Sequence, residues 1–124
     1  MTPSDLLDLT TLRNLVELDD GSHGLLREMI AIFRDDTPRR IQDILAAVVH
    51  GNAEELSRAG HALKGGAGAL GANAMRNLAG DLEVLGRNGS AQVDANLADQ
   101  LEAIFRDSII ALEAYVQEGE AGRG

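Results

Sequence analysis

Apolar residues recur along this chain at every third or fourth position, the period of a helix with one buried face. Leu9, Leu12, Leu15 and Val16 share one side of a short segment over 8–18. Leu25, Leu26, Met29, Ile32 and Phe33, followed by Ile41, Ile44, Leu45 and Val48, line a long one that runs to about His50. Met75, Leu78, Leu82 and Leu85 mark a helix over 72–88, and Leu97, Leu101, Ile104, Ser108, Ala111 and Tyr115 form a seam over 92–118. Composition agrees: Leu and Ala supply 36 residues, whereas Val, Ile and Thr, which favour strands, supply 17.

Punctuation sets the boundaries. Asp19-Asp20-Gly21 ends the first helix, and Ser22 is placed to cap the second, which Pro38 is expected to bend or interrupt near Asp36 and Thr37. Gly51 stops the second helix. Asn52 caps a third, with Glu55 at capping-box spacing. Gly86 and Asn88-Gly89 close the fourth, and Ser90 is placed to cap the fifth. Short connections between amphipathic helices imply antiparallel neighbours. The fold class expected is all-α, an antiparallel up-down-up-down four-helix bundle with a short extra N-terminal helix. Residues 1–118 are expected to form one domain and 119–124 a flexible tail.

Several function classes are excluded at this level. The formal net charge of −9 and three aromatic residues suit neither a phosphate-binding surface nor a base-stacking platform, so no nucleic-acid partner is expected. The absence of Cys removes disulfides, thiolate metal sites and cysteine nucleophiles. No apolar run approaches a membrane span and the N-terminal residues do not read as a signal peptide, so a cytoplasmic, monomeric chain is expected. Gly66-Ala67-Gly68-Ala69-Leu70-Gly71 matches G-x-G-x-x-G, but a helical segment precedes it where the dinucleotide fingerprint needs a strand. Paired Glu-x-x-His sets for a metal-carboxylate bundle are absent; Asp20-Gly21-Ser22-His23 comes nearest.

Five of the 14 glycines fall between 60 and 71, inside the third helix. Each costs a helix roughly 1 kcal/mol relative to Ala, about 5 kcal/mol for the cluster, against a net domain stability of about 5–15 kcal/mol. Helical geometry divides the cluster. Leu56, Ala59, Leu63, Ala67 and Leu70 share the core face, while His61, Gly65, Gly68 and Ala72 fall on nearly the opposite one, flanked by Arg58 and Lys64. Gly60 and Gly66 lie nearer the core and suit close helix packing; Gly65 and Gly68 suit a surface kept bare beside an outward imidazole. Charge adds to this. Residues 52–89 balance to zero, whereas 92–118 carry −5, so an incoming anion is repelled least near His61. His23, in a turn, and His50, at a helix end, have no such surroundings and read as structural or incidental.

The run His61-Ala62-Leu63-Lys64-Gly65-Gly66-Ala67-Gly68-Ala69-Leu70-Gly71 resembles the signature of histidine-containing phosphotransfer (HPt) domains, and the similarity extends over residues 8–118. The resemblance implies a four-helix bundle in which His61 accepts a phosphoryl group, Lys64 steadies its charge and Gly65 leaves room for a receiver domain. Arg58 and Gly68 would belong to the same docking surface. Gln often stands on the adjacent helix beside the histidine; this chain has Glu83, which leaves that contact open. Gly66 and Gly68 replace the more usual Ser or Ala. The partners implied are response-regulator receiver domains and a hybrid sensor histidine kinase. No cofactor is implied on this chain, Mg²⁺ belonging to the receiver. It would be a phosphoryl carrier and not a kinase. The competing reading is a helical adaptor that binds a receiver or kinase without taking phosphate, for which His61 and Lys64 together have no use.

Overall fold

The computed structural model describes residues 2–123. Its helices are α1 (Pro3–Leu6), α2 (Leu9–Leu18), α3 (Gly24–Val49), α4 (Ala53–Ala69), α5 (Asn73–Arg87) and α6 (Leu97–Arg123). The four long ones close a ring, α3 on α4, α4 on α5, α5 on α6 and α6 back on α3. Short turns at 50–52 and 70–72 force antiparallel neighbours. α2, the expected short N-terminal helix, lies on α3, and α1 before it lies on α5 and α6, the two making a lid. The Asp8 amide donates to the Gly71 carbonyl (2.8 Å), tying this lid to the α4–α5 turn. Gly71 sits at φ +73°, and a Cβ there would press on the Asp8 carbonyl and Thr11. No helix among the described residues is long and apolar enough to cross a membrane.

The core follows the apolar stripes except at Leu9 and Ile32, which the structure leaves exposed. Leu12, Leu26, Ile44, Leu56, Leu63, Met75, Leu101 and Leu112 are completely enclosed. Phe33 and Phe105 meet edge to face, with centroids 5.7 Å apart, joining α3 to α6. Arg27 and Arg34 of α3 pair with Glu120 and Glu113 of α6 along the outside of the same contact. Ser108 is buried in the α6 seam with no partner for its hydroxyl among the described residues.

Several boundaries differ from the sequence expectation. α3 is not interrupted at Pro38. Thr37 and Ile41 are buried while Pro38 is exposed, so the Arg34 carbonyl left without its helical donor is on the wet side, where water replaces it. The first turn of α3 is capped jointly: Ser22 Oγ accepts from the Gly24 amide (3.1 Å) and Asp19 Oδ2 from the Leu25 amide (2.9 Å). Asn52 caps α4 through the Glu55 amide (3.1 Å), but the Glu55 carboxylate turns to Arg58 and does not complete the box. α6 starts at Leu97 and not near 92, because Ser90 and Asp94 each bond an amide two residues on and hold the connection in turns. Residues 119–123, expected as a tail, continue α6; Gly119 packs against His23, and Glu120 pairs with Arg27. Residue 124 lies outside the described residues. Ala72, expected on the outward face, is fully buried because α4 ends at Ala69 and the chain turns inward.

Two glycines set the distance between α4 and α5. A Cβ on Gly60 would stand 2.8 Å from the Glu83 nitrogen and 2.9 Å from the Ala79 oxygen. A Cβ on Gly86 would stand 2.5 Å from both the Ala53 oxygen and the Ser57 nitrogen. The obstacles are backbone atoms, so they cannot rotate away. Gly86 is therefore a packing residue inside α5 and not a helix terminator. Gly65 is its opposite, since a Cβ there would meet nothing within 4 Å. Gly86→Ala is expected to lower stability by about 1–3 kcal/mol through overpacking, and Gly65→Ala to raise it by about 1 kcal/mol through helix propensity; urea denaturation of both variants checks the opposite signs.

Candidate functional site

The close approach at Gly60 brings the α5 backbone at Glu83 directly against α4, one residue before His61. From there the Glu83 side chain needs little length to run between the helices. Its Oε2 lies 2.5 Å from His61 Nδ1, and its Oε1 accepts from Lys64 Nζ. Arg87, one turn further along α5, places Nη2 3.6 Å from the same carboxylate. The Glu83 side chain is only 6% exposed, while that of His61 is 72% exposed. A buried anion is thus matched by one ammonium, one guanidinium and one imidazole, each reaching it from the surface.

This arrangement selects the imidazole tautomer. The Lys64 hydrogen bond, opposed by desolvation and reinforced by His61, holds the Glu83 carboxyl below its ordinary value of 4.5. At neutral pH Glu83 is ionised and can only accept, so the ring proton resides on Nδ1. In the neutral ring Nε2 then carries the lone pair, and it has no hydrogen-bond partner among the described residues. An exposed, unprotonated ring nitrogen whose opposite edge is anchored to a carboxylate is a nucleophile of fixed orientation.

The surroundings match the sequence expectation in part. Gly65 is open to solvent. Gly68 is not bare: the stem of Arg76 from α5 crosses it, 3.2 Å from where a Cβ would stand. Gly66 faces the Arg40 guanidinium of α3 and no helix backbone, so the close-packing reading holds for Gly60 alone of that pair. Arg58 bonds Glu54 and Glu55 along its own helix and is not brought to His61. Lys64 points to Glu83, so its charge is shared with that carboxylate. The contact left open in the sequence, that of Glu83, is made to both His61 and Lys64. The periodicity carries no signal for Arg40 or Arg76; Arg87 is legible only as the i+4 partner of Glu83. Lys64, Gly65, Gly68, Gly80 and Glu83 line one open depression of ≈ 730 Å³ along α4 and α5. It suits the surface of another macromolecule better than an enclosed small ligand. His23, by contrast, is buried against Gly119 with Nδ1 unpartnered among the described residues, and His50 is exposed at the end of α3.

The lowered Glu83 pKa has a definite sign in stability. A carboxylate whose folded-state pKa is depressed contributes fully above its unfolded value, and the contribution disappears as pH falls through the depressed one. Wild type is therefore expected to lose stability relative to Glu83→Gln on acidification below about pH 4.5, the gap narrowing steadily as Glu83 protonates. Denaturant titrations of both proteins in steps below pH 5 measure it; parallel curves would mean that Glu83 is not held by these cations.

The match to known proteins agrees with this geometry. Residues 28–118 match the family model described as the Hpt domain. The phosphorelay intermediate protein YPD1 of Candida albicans is 30% identical over 74 residues, which is 60% of this chain and 40% of that protein's length. The crystal structure of histidine-containing phosphotransfer protein B (HptB) from Pseudomonas aeruginosa PAO1 superposes with a TM-score of 0.77 at 26% identity, covering 91% of this chain and 96% of that one. The histidine-containing phosphotransfer domain of ArcB from Escherichia coli shares the fold, with a TM-score of 0.73 at 21% identity and coverage of 91% and 94%. With its bundle matched over nine tenths of its length and its sequence over residues 28–118, the chain belongs to the Hpt domain family.

Proposed function

We propose that this domain is a phosphoryl carrier in a two-component phosphorelay and that His61 is the residue phosphorylated. The observation that carries this reading is the exposed His61 ring, anchored through Nδ1 to Glu83 with Nε2 free. Family membership and the likeness to a phosphorelay intermediate and to a phosphotransfer protein support it. The donor is the acyl phosphate on a receiver-domain aspartate. Nε2 attacks phosphorus in line, the N–P bond forms, and the P–O bond to the aspartyl carboxylate breaks with its electron pair leaving on that carboxylate. No proton need move, since the Nδ1 proton stays on the Glu83 side. The positive charge that develops on the ring is stabilised by the carboxylate behind it. The reverse sequence passes the group to another aspartate.

Lys64 serves both states of such a carrier. Before transfer its ammonium neutralises Glu83, and after transfer its flexible stem lets it share that charge with the phosphoryl oxygens. Mg²⁺ and the second carboxylate belong to the receiver. The exposed strip at Gly65 supplies the space through which a receiver's loops approach the ring. Receiver domains and a sensor histidine kinase are the partners of this reading. A phosphorylation-independent adaptor would gain nothing from a buried carboxylate devoted to orienting an imidazole.

The test is incubation with a phosphorylated receiver and Mg²⁺, followed by acid treatment of the labelled product, since N-phosphohistidine is acid-labile and a phosphoester is not. His61→Gln is expected to take no label while keeping its helix content. Lys64→Ala is expected to slow single-turnover transfer by about tenfold at saturating receiver. Gly65→Glu, folded and helical, is expected to lose most transfer because bulk and negative charge enter the approach path. Label retained by His61→Gln would move the acceptor elsewhere, and normal transfer by Gly65→Glu would remove the docking role of that strip.

A further inference from the structure

Close packing of helices does not account for Gly66. A Cβ there would meet no backbone of α3 or α5; it would meet the guanidinium of Arg40, which reaches over from α3. Arg40 Nη1 donates to the carbonyl oxygen of Ala62 at 2.8 Å, and its Nη2 lies 4.0 Å from Asp36 Oδ2 on its own helix. Ala62 directly follows His61. In a regular helix its carbonyl accepts from the amide one turn ahead, which is Gly66. The guanidinium therefore sits at the outer side of a hydrogen bond whose donor residue has no side chain to block it. The turn closed by that bond, residues 62–66, holds Lys64 and two consecutive glycines, with a third at Gly68. Glycine is the residue that most readily lets a helix open, after proline. The turn next to the imidazole is thus intrinsically weak, and it carries a charge-assisted bond from a neighbouring helix at its carbonyl.

Resting on the reading of His61 as phosphoacceptor, we propose that Arg40 is a positioning residue for it: the guanidinium braces the Ala62 carbonyl and keeps the glycine-weakened turn beside His61 and Lys64 in helical geometry, and residue 66 is glycine so that the brace can reach. Arg40 touches neither the ring nor the path of the phosphoryl group. Its effect passes through the backbone that aims Nε2 and sets the Lys64–Glu83 contact. The arrangement leaves the outer face of α4 bare at Gly65 for a partner while supplying from behind the rigidity that a side chain there would have given.

The test compares wild type with Arg40→Met, Gly66→Ala and the double variant. Met keeps an apolar stem at the small cavity that Arg40 lines together with Phe33, Thr37 and Gly66, and removes the guanidinium. Two readouts are needed: amide hydrogen exchange across residues 62–68 in the unphosphorylated protein, and single-turnover transfer as a function of receiver concentration. Arg40→Met is expected to speed exchange at the Gly66 amide by about tenfold and to slow saturated transfer by about tenfold, leaving the half-saturating receiver concentration unchanged. Gly66→Ala alone is expected to slow transfer only about twofold, because its methyl group displaces the guanidinium while its own helix propensity holds the turn. In the Arg40→Met background the same substitution is expected to restore transfer to within about twofold of wild type, because Ala closes the turn by its own propensity. This reversal of sign is what a merely stabilising arginine would not produce. Wild-type exchange and transfer in Arg40→Met would overturn the proposal. So would a raised half-saturating concentration with an unchanged maximal rate, which would make Arg40 a receiver contact, or a double variant slower than either single one. If the wild-type protein takes no label at all, the phosphoacceptor reading has failed, and the exchange pattern still decides by itself whether Arg40 braces the turn.

Discussion

The backbones of α4 and α5 touch, and most of the site depends on that contact. Where Gly60 meets Glu83 and Ala79, and again where Gly86 meets Ala53 and Ser57, there is no room for even a methyl group. Ordinary helices stand about 8–10 Å apart because side chains separate them. Glycine at two crossings removes that spacer. A glutamate on one helix then reaches a histidine and a lysine on the other with its carboxylate almost wholly enclosed, so it acts as a buried charge although its partners lie at the surface. At ordinary spacing the same three residues would meet as exposed, screened ion pairs of little consequence.

Electrostatics follow from this placement. The molecule is strongly acidic, and α6 concentrates the negative charge on the wall away from His61. On the α4–α5 face Lys64 and Arg87 are drawn to Glu83, while Arg76 lies across Gly68 and bonds the side chain of Asn73. The face is balanced where the rest of the surface repels. An anionic group therefore finds a low barrier there, without a cluster of free cations strong enough to hold it permanently.

Much of this is legible in the sequence. Phase along α4 separates buried Leu56, Leu63 and Ala67 from exposed His61 and Gly65, because a 17-residue helix keeps a single phase. It fails at Ala72, where the helix has already ended and angular counting no longer applies. Pro38 reads as an interruption because one-dimensional rules do not know that the missing bond faces water. The start of α6 is misplaced because Asp94 and Ser90 bond their local amides, a competition between turn and helix that periodicity cannot weigh. Its continuation past 118 depends on contacts with His23 and Arg27, far earlier in the chain. The same limit applies to the site. The imidazole, the ammonium and the open glycine lie close together along one helix and stand out; the carboxylate, and the guanidiniums that use the other glycines, come from different helices. Sequence spacing identifies which glycines are unusual, but not which of them exist to admit something.

The Arg27–Glu120 and Arg34–Glu113 pairs on the far wall have a consequence out of proportion to their strength. Exposed pairs of this kind contribute little to stability. Yet the two arginines are seven positions apart on α3 and the two glutamates seven apart on α6, running in the opposite direction. Sliding α6 by one turn would bring Gln117 towards Arg27 and carry Glu113 past Arg34, losing both attractions at once. The apolar seam carries one specific mark of its own, the Phe33–Phe105 edge-to-face contact, which the same slip would undo. The two ion pairs and that ring contact therefore work together as a vernier: they favour one register of the two longest helices, and through it the shape of the cylinder on whose other side α4 and α5 meet.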